Sequence, residues 1–181
     1  GIHPATHTAS PIMQTAKFSL RSTTRPARQN LLVTAAVKKG DTIPAFSLKD
    51  QNGRSVNVKP GGKPKVIFFY PKDATPGCTI EAKAFNDALP KLKKVADVYG
   101  ISSDDVDSHK AFCDDLGLKY QLLADEGGNI RKQFGVPAAL FGALPGRVSY
   151  VVDKKGEVVS VLDNLLDAKK HVDNALDALG V

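Results

Sequence analysis

The sequence predicts an α/β fold: a mixed central β-sheet flanked by helices on both faces, with an N-terminal β-hairpin. Three observations carry this expectation. Val66-Ile67-Phe68-Phe69-Tyr70 has the continuous apolar character of a strand buried on both faces, and Val95 to Ile101 reads as a second buried strand. Strands alternate with segments of helical period as far as Phe134. The span Arg147 to Val161 then reads as a hairpin, which adds antiparallel strands to the parallel ones.

Each element follows in order. Asp41 to Val58 is an extended hairpin, with Phe46 and Leu48 alternating with polar residues and Asp50-Gln51-Asn52-Gly53 as its turn. Lys59 to Pro64 is a loop, Val66 to Tyr70 a central strand, and Pro71 its end. Thr75-Pro76-Gly77 opens a helix that runs to about Leu89 and stops before Pro90. A helix over Asp104 to Gly117 follows the second strand, capped by Asp104 or Asp105 and stopped by Gly117. Tyr120 to Leu123 is a short strand and Asn129 to Phe134 a short helix ended by Gly135. The last hairpin turns at Asp153-Lys154-Lys155-Gly156, and Asp167 to Leu179 is a closing amphipathic helix. No internal repeat or low-complexity segment interrupts the domain.

Charge is distributed unevenly along the chain. The 181 residues carry a formal net charge of +6. Residues 1–40 hold six Lys/Arg and no acid, whereas residues 41–181 hold 19 basic and 19 acidic residues. The basic excess lies in the first 40 residues, four of the six in 1–36, so no basic folded surface of the kind that binds nucleic acid is expected. No apolar run approaches the roughly 20 residues of a membrane span. Two cysteines exclude a disulfide-rich scaffold, and Cys78 and Cys113 lack the spacing of a zinc site.

Residues 1–36 contain nine Ser/Thr, basic residues and no acid, the composition of an organellar transit peptide. Val33-Thr34-Ala35-Ala36 resembles a plastid processing site. The chain therefore divides into a leader (1–36) and one domain (37–181), with a chloroplast expected ahead of a mitochondrion. Without a second, hydrophobic signal, the stroma or stromal membrane face is expected ahead of the thylakoid lumen.

The chemistry concentrates in Tyr70-Pro71-Lys72-Asp73-Ala74-Thr75-Pro76-Gly77-Cys78-Thr79-Ile80-Glu81-Ala82. Thr75 suits the N-cap and Pro76 the first helical position. Cys78 then lies in the first turn, where free N–H groups and the helix dipole favour an anionic sulfur. The Thr75 hydroxyl is expected to accept from the helix and donate to the sulfur or to a bound oxygen. Cys78, Ala82, Phe85 and Leu89 share one face, so the sulfur points inward into a pocket. Glu81 either complements the dipole, anchors a cation or simply faces solvent. Helix position alone leaves Cys78 open between a nucleophile and a buried structural cysteine.

The motif Pro71-x-x-x-Thr75-x-x-Cys78 resembles the peroxiredoxin active site, and Thr75-Pro76-Gly77-Cys78-Thr79-x-Glu81-Ala82 resembles its Q-type (bacterioferritin-comigratory) branch. The likeness extends over residues 38–181, through Gly40-Asp41-x-x-Pro44-x-Phe46, Ser108-His109-x-x-Phe112, Leu122-Leu123-x-Asp125 and Gly146-Arg147. It implies a thioredoxin-like fold and a thiol peroxidase acting on hydrogen peroxide and organic hydroperoxides, with no metal or other cofactor. Cys78 would attack the peroxide, Thr75 would hydrogen-bond it, and Pro71 would shield the sulfur. Arg147 would stabilise the thiolate and the departing oxygen, and Glu81 would hold that Arg through a bidentate pair. A surface strand-end Arg is the plain alternative for Arg147.

Regeneration departs from the commonest pattern of the branch. Lys83 stands where many Q-type members place the resolving cysteine, so Cys113 is the candidate, resembling a subset that carries it in the next helix. Val106, His109, Cys113 and Leu116 also form one helix face, so Cys113 fits a core position equally. The resemblance implies thioredoxin as reductant and a monomer. Alternatives are a one-cysteine cycle with glutathione or glutaredoxin, and a redox relay without turnover. His109 reads as a core or capping residue, His171 as exposed, Asp104, Asp105 and Asp107 as helix-start acids, and Phe141 as a pocket lining residue.

Overall fold

The computed structural model describes residues 35–181, so the leader apart from Ala35 and Ala36 lies outside the described residues. Nine strands and four helices follow in order: β1 (Phe46–Asp50), β2 (Ser55–Val58), β3 (Lys65–Phe69), α1 (Pro76–Val95), β4 (Asp97–Ser102), α2 (Val106–Leu116), β5 (Gln121–Ala124), α3 (Asn129–Gln133), β6 (Ala138–Ala139), β7 (Leu144–Pro145), β8 (Val148–Val152), β9 (Val158–Asp163) and α4 (Ala168–Leu179). Seven strands form one sheet in the order β2-β1-β5-β4-β3-β8-β9. β3, β4 and β5 run parallel, and the other pairings are antiparallel.

The central strand shows why the sheet needs two covers. In β3 and the residue after it, Val66, Phe68 and Tyr70 enter one core, and Ile67 and Phe69 the other. This is the period-2 alternation of a strand buried on both faces. The first core takes α1, α2 and α4 through Phe85, Leu92, Phe112, Val172 and Ala175. The second is closed by Phe134 after α3 and by Ile43 and Phe46 of the N-terminal segment. The helices therefore divide three to one, and the N-terminal hairpin segment completes the thinner layer.

Two expectations are corrected. α1 does not stop before Pro90 but continues to Val95 with Pro90 inside it. An internal proline costs about 3 kcal/mol. Here Pro90 is exposed, so water can satisfy the freed carbonyl, and continuation buries Leu92 completely. The stretch between α3 and β8 contains the small β6–β7 hairpin. Phe141 at its tip lines no pocket: it is fully exposed, with a left-handed φ of 56°.

Candidate active site

β3 delivers the chain to a short loop, Pro71 to Thr75, and α1 begins at its end. Pro71 is half-buried and Ala74 takes a left-handed φ of 54°. Thr75 is the extended N-cap and Pro76 opens the helix. The Thr75 hydroxyl does not cap it, which corrects the sequence expectation. It donates to the Lys72 carbonyl at 3.0 Å, closing the loop on itself. Among the described residues no side chain caps the first turn of α1, which leaves that end of the helix available to an anion.

Cys78 occupies this turn and is 2% exposed, with Ala82, Phe85 and Leu89 buried along the same stripe. Arg147, the residue before β8, reaches it from across the sheet. Its Nη2 donates to the Cys78 Sγ at 3.4 Å, its Nε to the Leu165 carbonyl at 3.1 Å, and its Nη1 to the Glu81 Oε2. Two glycines permit this approach. A Cβ on Gly77 would stand 3.1 Å from the guanidinium, and one on Gly146 would stand 2.2 Å from the Pro137 carbonyl oxygen. The structure thus brings Cys78, Arg147 and Glu81 into one cluster, and the cation sits where it favours a thiolate.

Glu81 is neither a surface residue nor a bidentate partner. It is fully buried, and Arg147 takes only one of its oxygens, leaving Oε1 without a hydrogen bond. Burial pushes its carboxyl up to about 8, with Arg147 pulling against that rise. The folded chain therefore holds more protons at this site than the unfolded chain between pH 4.5 and about 8. Stability from this group falls as pH rises through that window. His171, held below its ordinary 6.5 by burial, acts in the opposite sense, but only below 6.5. Between pH 6.5 and about 8 the Glu81 effect stands alone of the two. Urea unfolding of the reduced chain should accordingly show stability declining over that interval, with a flatter profile in Glu81→Gln.

His171 corrects a further expectation. It is fully buried, with Nδ1 2.8 Å from the Ser149 Oγ and Nε2 2.8 Å from the Asn164 carbonyl oxygen. The buried residues of α4 are Ala168, His171, Val172 and Ala175, an i, i+3, i+4, i+7 stripe that includes the histidine.

Arg131 was not singled out from the sequence, yet it braces the site. It is buried, with Nη1 on the Gly146 carbonyl at 2.8 Å and Nη2 on the Tyr70 carbonyl at 2.5 Å. It thereby ties the residue before Pro71 to the residue before Arg147. No local pattern signals this, because both partners are backbone atoms far away in sequence.

The loop is also tied to α2. Asp73 is buried, accepts from Tyr70 Oη at 2.6 Å and Ser108 Oγ at 2.8 Å, and lies 2.8 Å from His109 Nδ1. His109 is thus a core residue, as expected. Asp105 caps α2 through the Ser108 N–H and Asp107 lies in its first turn, whereas Asp104 binds the Asp73 N–H and the Ser102 hydroxyl. Cys113 lies one turn beyond His109, is also a free thiol, and is buried in the core shared with Cys78. Burial, then the charges of Asp73 and Asp114, push its thiol up to about 12.

The chain is similar to known proteins in sequence and in fold. The AhpC/TSA family model matches residues 39–161. The chain is 50% identical over 163 residues to the chloroplastic peroxiredoxin Q of Sedum lineare, covering 89% of this chain and 87% of that one. It is 53% identical over 150 residues to the Arabidopsis thaliana protein of the same name, covering 82% and 69%. Among solved structures it resembles the peroxidoxin BcpB of Mycobacterium tuberculosis (TM-score 0.72, 36% identity, 80% of this chain and 97% of that one). It also resembles the peroxiredoxin Q of Xanthomonas campestris (TM-score 0.68, 32% identity, 75% and 89%). The fold is the thioredoxin-like peroxiredoxin fold, and the chloroplastic relatives support a plastid location. A buried helix-start cysteine facing an arginine, on this fold and with these relatives, makes the chain a peroxidase that belongs to the AhpC/TSA family, in its peroxiredoxin Q branch.

Proposed function

We propose that Cys78 is the peroxide-attacking thiolate. The observation that carries this is the Arg147 Nη2 donor 3.4 Å from its sulfur, at an uncapped helix N-terminus and away from bulk water. The thiolate attacks the distal oxygen of hydrogen peroxide or an organic hydroperoxide and displaces the hydroxide or alkoxide bonded to it. The S–O bond forms as the O–O bond breaks, and water or an alcohol leaves after taking up one proton. Cys78 becomes a sulfenic acid, oxidised by two electrons. Arg147 stabilises first the thiolate and then the charge on the departing oxygen. Thr75 aligns the peroxide with its hydroxyl, which must turn from the Lys72 carbonyl to donate. Pro71 shields the sulfur, and Glu81 positions Arg147.

Cys113 completes the cycle in this proposal. Its thiol attacks the sulfenic acid, releasing water and forming a Cys78–Cys113 disulfide, which thioredoxin then reduces. Both sulfurs are buried on separate helices, so the first turn of α1 unwinds and α2 releases its hold on Asp73 before the two meet. The high thiol pKa of Cys113 in the reduced fold favours a second reading, a one-cysteine cycle resolved by glutathione. Cys113→Ser separates them. For the first reading, single-turnover peroxide consumption persists, thioredoxin-supported turnover collapses, and glutathione restores it. Glutathione-supported turnover in the unsubstituted chain that Cys113→Ser leaves unchanged supports the second.

The catalytic domain is residues 37–181, acting as a monomer in the plastid stroma after removal of the 1–36 leader. Removal leaves only Lys38 and Lys39 of the leader-end basic residues on an otherwise charge-balanced domain.

A further inference from the structure

Glu81 is held from one side only. Arg147 takes Oε2, while the buried Oε1 has no hydrogen-bond partner and faces the His171 Nδ1 at 3.9 Å. The ring has little freedom. Its Nε2 lies 2.8 Å from the Asn164 carbonyl oxygen, so that nitrogen carries a hydrogen. In a neutral ring Nδ1 is then an acceptor and takes the Ser149 hydroxyl at 2.8 Å. An ionised Glu81 would hold its free oxygen 3.9 Å from a ring nitrogen that has no hydrogen to offer it, an unpaired anion away from water. Such an arrangement is costly, and one proton held on either atom relieves it.

We propose that His171, oriented by Ser149 and Asn164, is a positioning residue for the peroxidase reaction that keeps one proton against Glu81 Oε1 and so leaves the charge of Arg147 turned to Cys78. The inference rests on Cys78 as the attacking thiol. Charge balance is its core. The guanidinium and a thiolate already neutralise each other. An ionised Glu81 beside a neutral His171 adds a second anion that competes with the sulfur for Arg147. With the proton retained, the Glu81–His171 pair carries no net charge and the sulfur has the guanidinium to itself. Four charged or titratable groups bear on the histidine: Glu81 from α1, Arg147 before β8, Asp163 at the end of β9, and Asp167, the N-cap of its own helix. Arg147 opposes a charged ring, whereas Asp163 and Asp167 favour it. The proton thus belongs to the pair, not to the ring alone.

His171→Leu tests this, because leucine fills the buried site but sets no titratable nitrogen opposite Glu81 Oε1. Two readouts are used: the pH profile of Cys78 alkylation by iodoacetamide, and single-turnover consumption of hydrogen peroxide near neutral pH. The alkylation midpoint should move up by about one pH unit and the peroxide rate should fall about tenfold. His171→Gln, which returns a polar N–H donor to the same buried position, should recover most of both. In a Glu81→Gln background His171→Leu should change little, because the group it acts through is gone. Ser149→Ala should move both readouts the same way by less, and serves where His171→Leu fails to fold. An unmoved midpoint in His171→Leu, or in Ser149→Ala if that is the variant that folds, overturns the proposal. An equal loss in the Glu81→Gln background overturns it also. Alkylation reads the sulfur without peroxide, so failure here is distinct from failure of Cys78 as nucleophile, which would appear as turnover persisting in Cys78→Ser.

Discussion

Cys78→Ser is expected to lower peroxide reduction by more than about four orders of magnitude, the scale seen when a nucleophile is removed. A serine hydroxyl at the same place is held by the same first turn of α1 and faces the same Arg147. It does not ionise near neutrality and is a weak nucleophile without a neighbouring base. The site offers none: the groups around the sulfur are a guanidinium and, behind it, Glu81, whose oxygens face Arg147 and His171. The substitution removes one buried sulfur for a hydroxyl of nearly the same size, so the fold should persist and thermal unfolding should show it. The check is a thioredoxin-coupled turnover assay together with direct peroxide consumption.

Arg147→Gln is expected to cost about 10²–10³-fold in the single-turnover rate, the range for losing one preorganised donor from a site of developing charge. The loss has two parts. The thiolate loses its cation, and the departing oxygen loses a donor. Glu81 also loses the contact that holds its Oε2, leaving a buried carboxyl with neither oxygen bonded. Arg147→Lys should recover only part of the rate, because one ammonium cannot reach Cys78, Glu81 and the Leu165 carbonyl together. Rates measured by rapid mixing with hydrogen peroxide, compared with thermal unfolding of each variant, separate the catalytic loss from the structural one.

Much of this site was legible because its elements follow short-range rules. The strand of Val66 to Tyr70, the Thr75–Pro76 helix start and the 78, 82, 85, 89 stripe each depend on residues within a few turns of one another. The errors share the opposite property. Glu81 stays open from helix position alone, and the resemblance that pairs it with Arg147, 66 residues away, gives two contacts where the structure has one. His171 was lost in the mixed charges of α4, although its spacing from Ala168, Val172 and Ala175 places it on the buried stripe. Arg131 acts through the carbonyls of Tyr70 and Gly146, which have no residue identity to read. Pro90 shows propensity giving way to burial of the turn beyond it. The Thr75 hydroxyl turned to the Lys72 carbonyl because the loop closes on itself, a geometry no spacing predicts.

The proposed reaction turns on Cys78 taking the oxygen from the peroxide. One equivalent of hydrogen peroxide added to the fully reduced Cys113→Ser chain, followed by dimedone trapping and peptide mapping by mass spectrometry, tests it directly. The expected result is one dimedone adduct on the peptide carrying Cys78. Peroxide consumed with Cys78 left as a free thiol would contradict it.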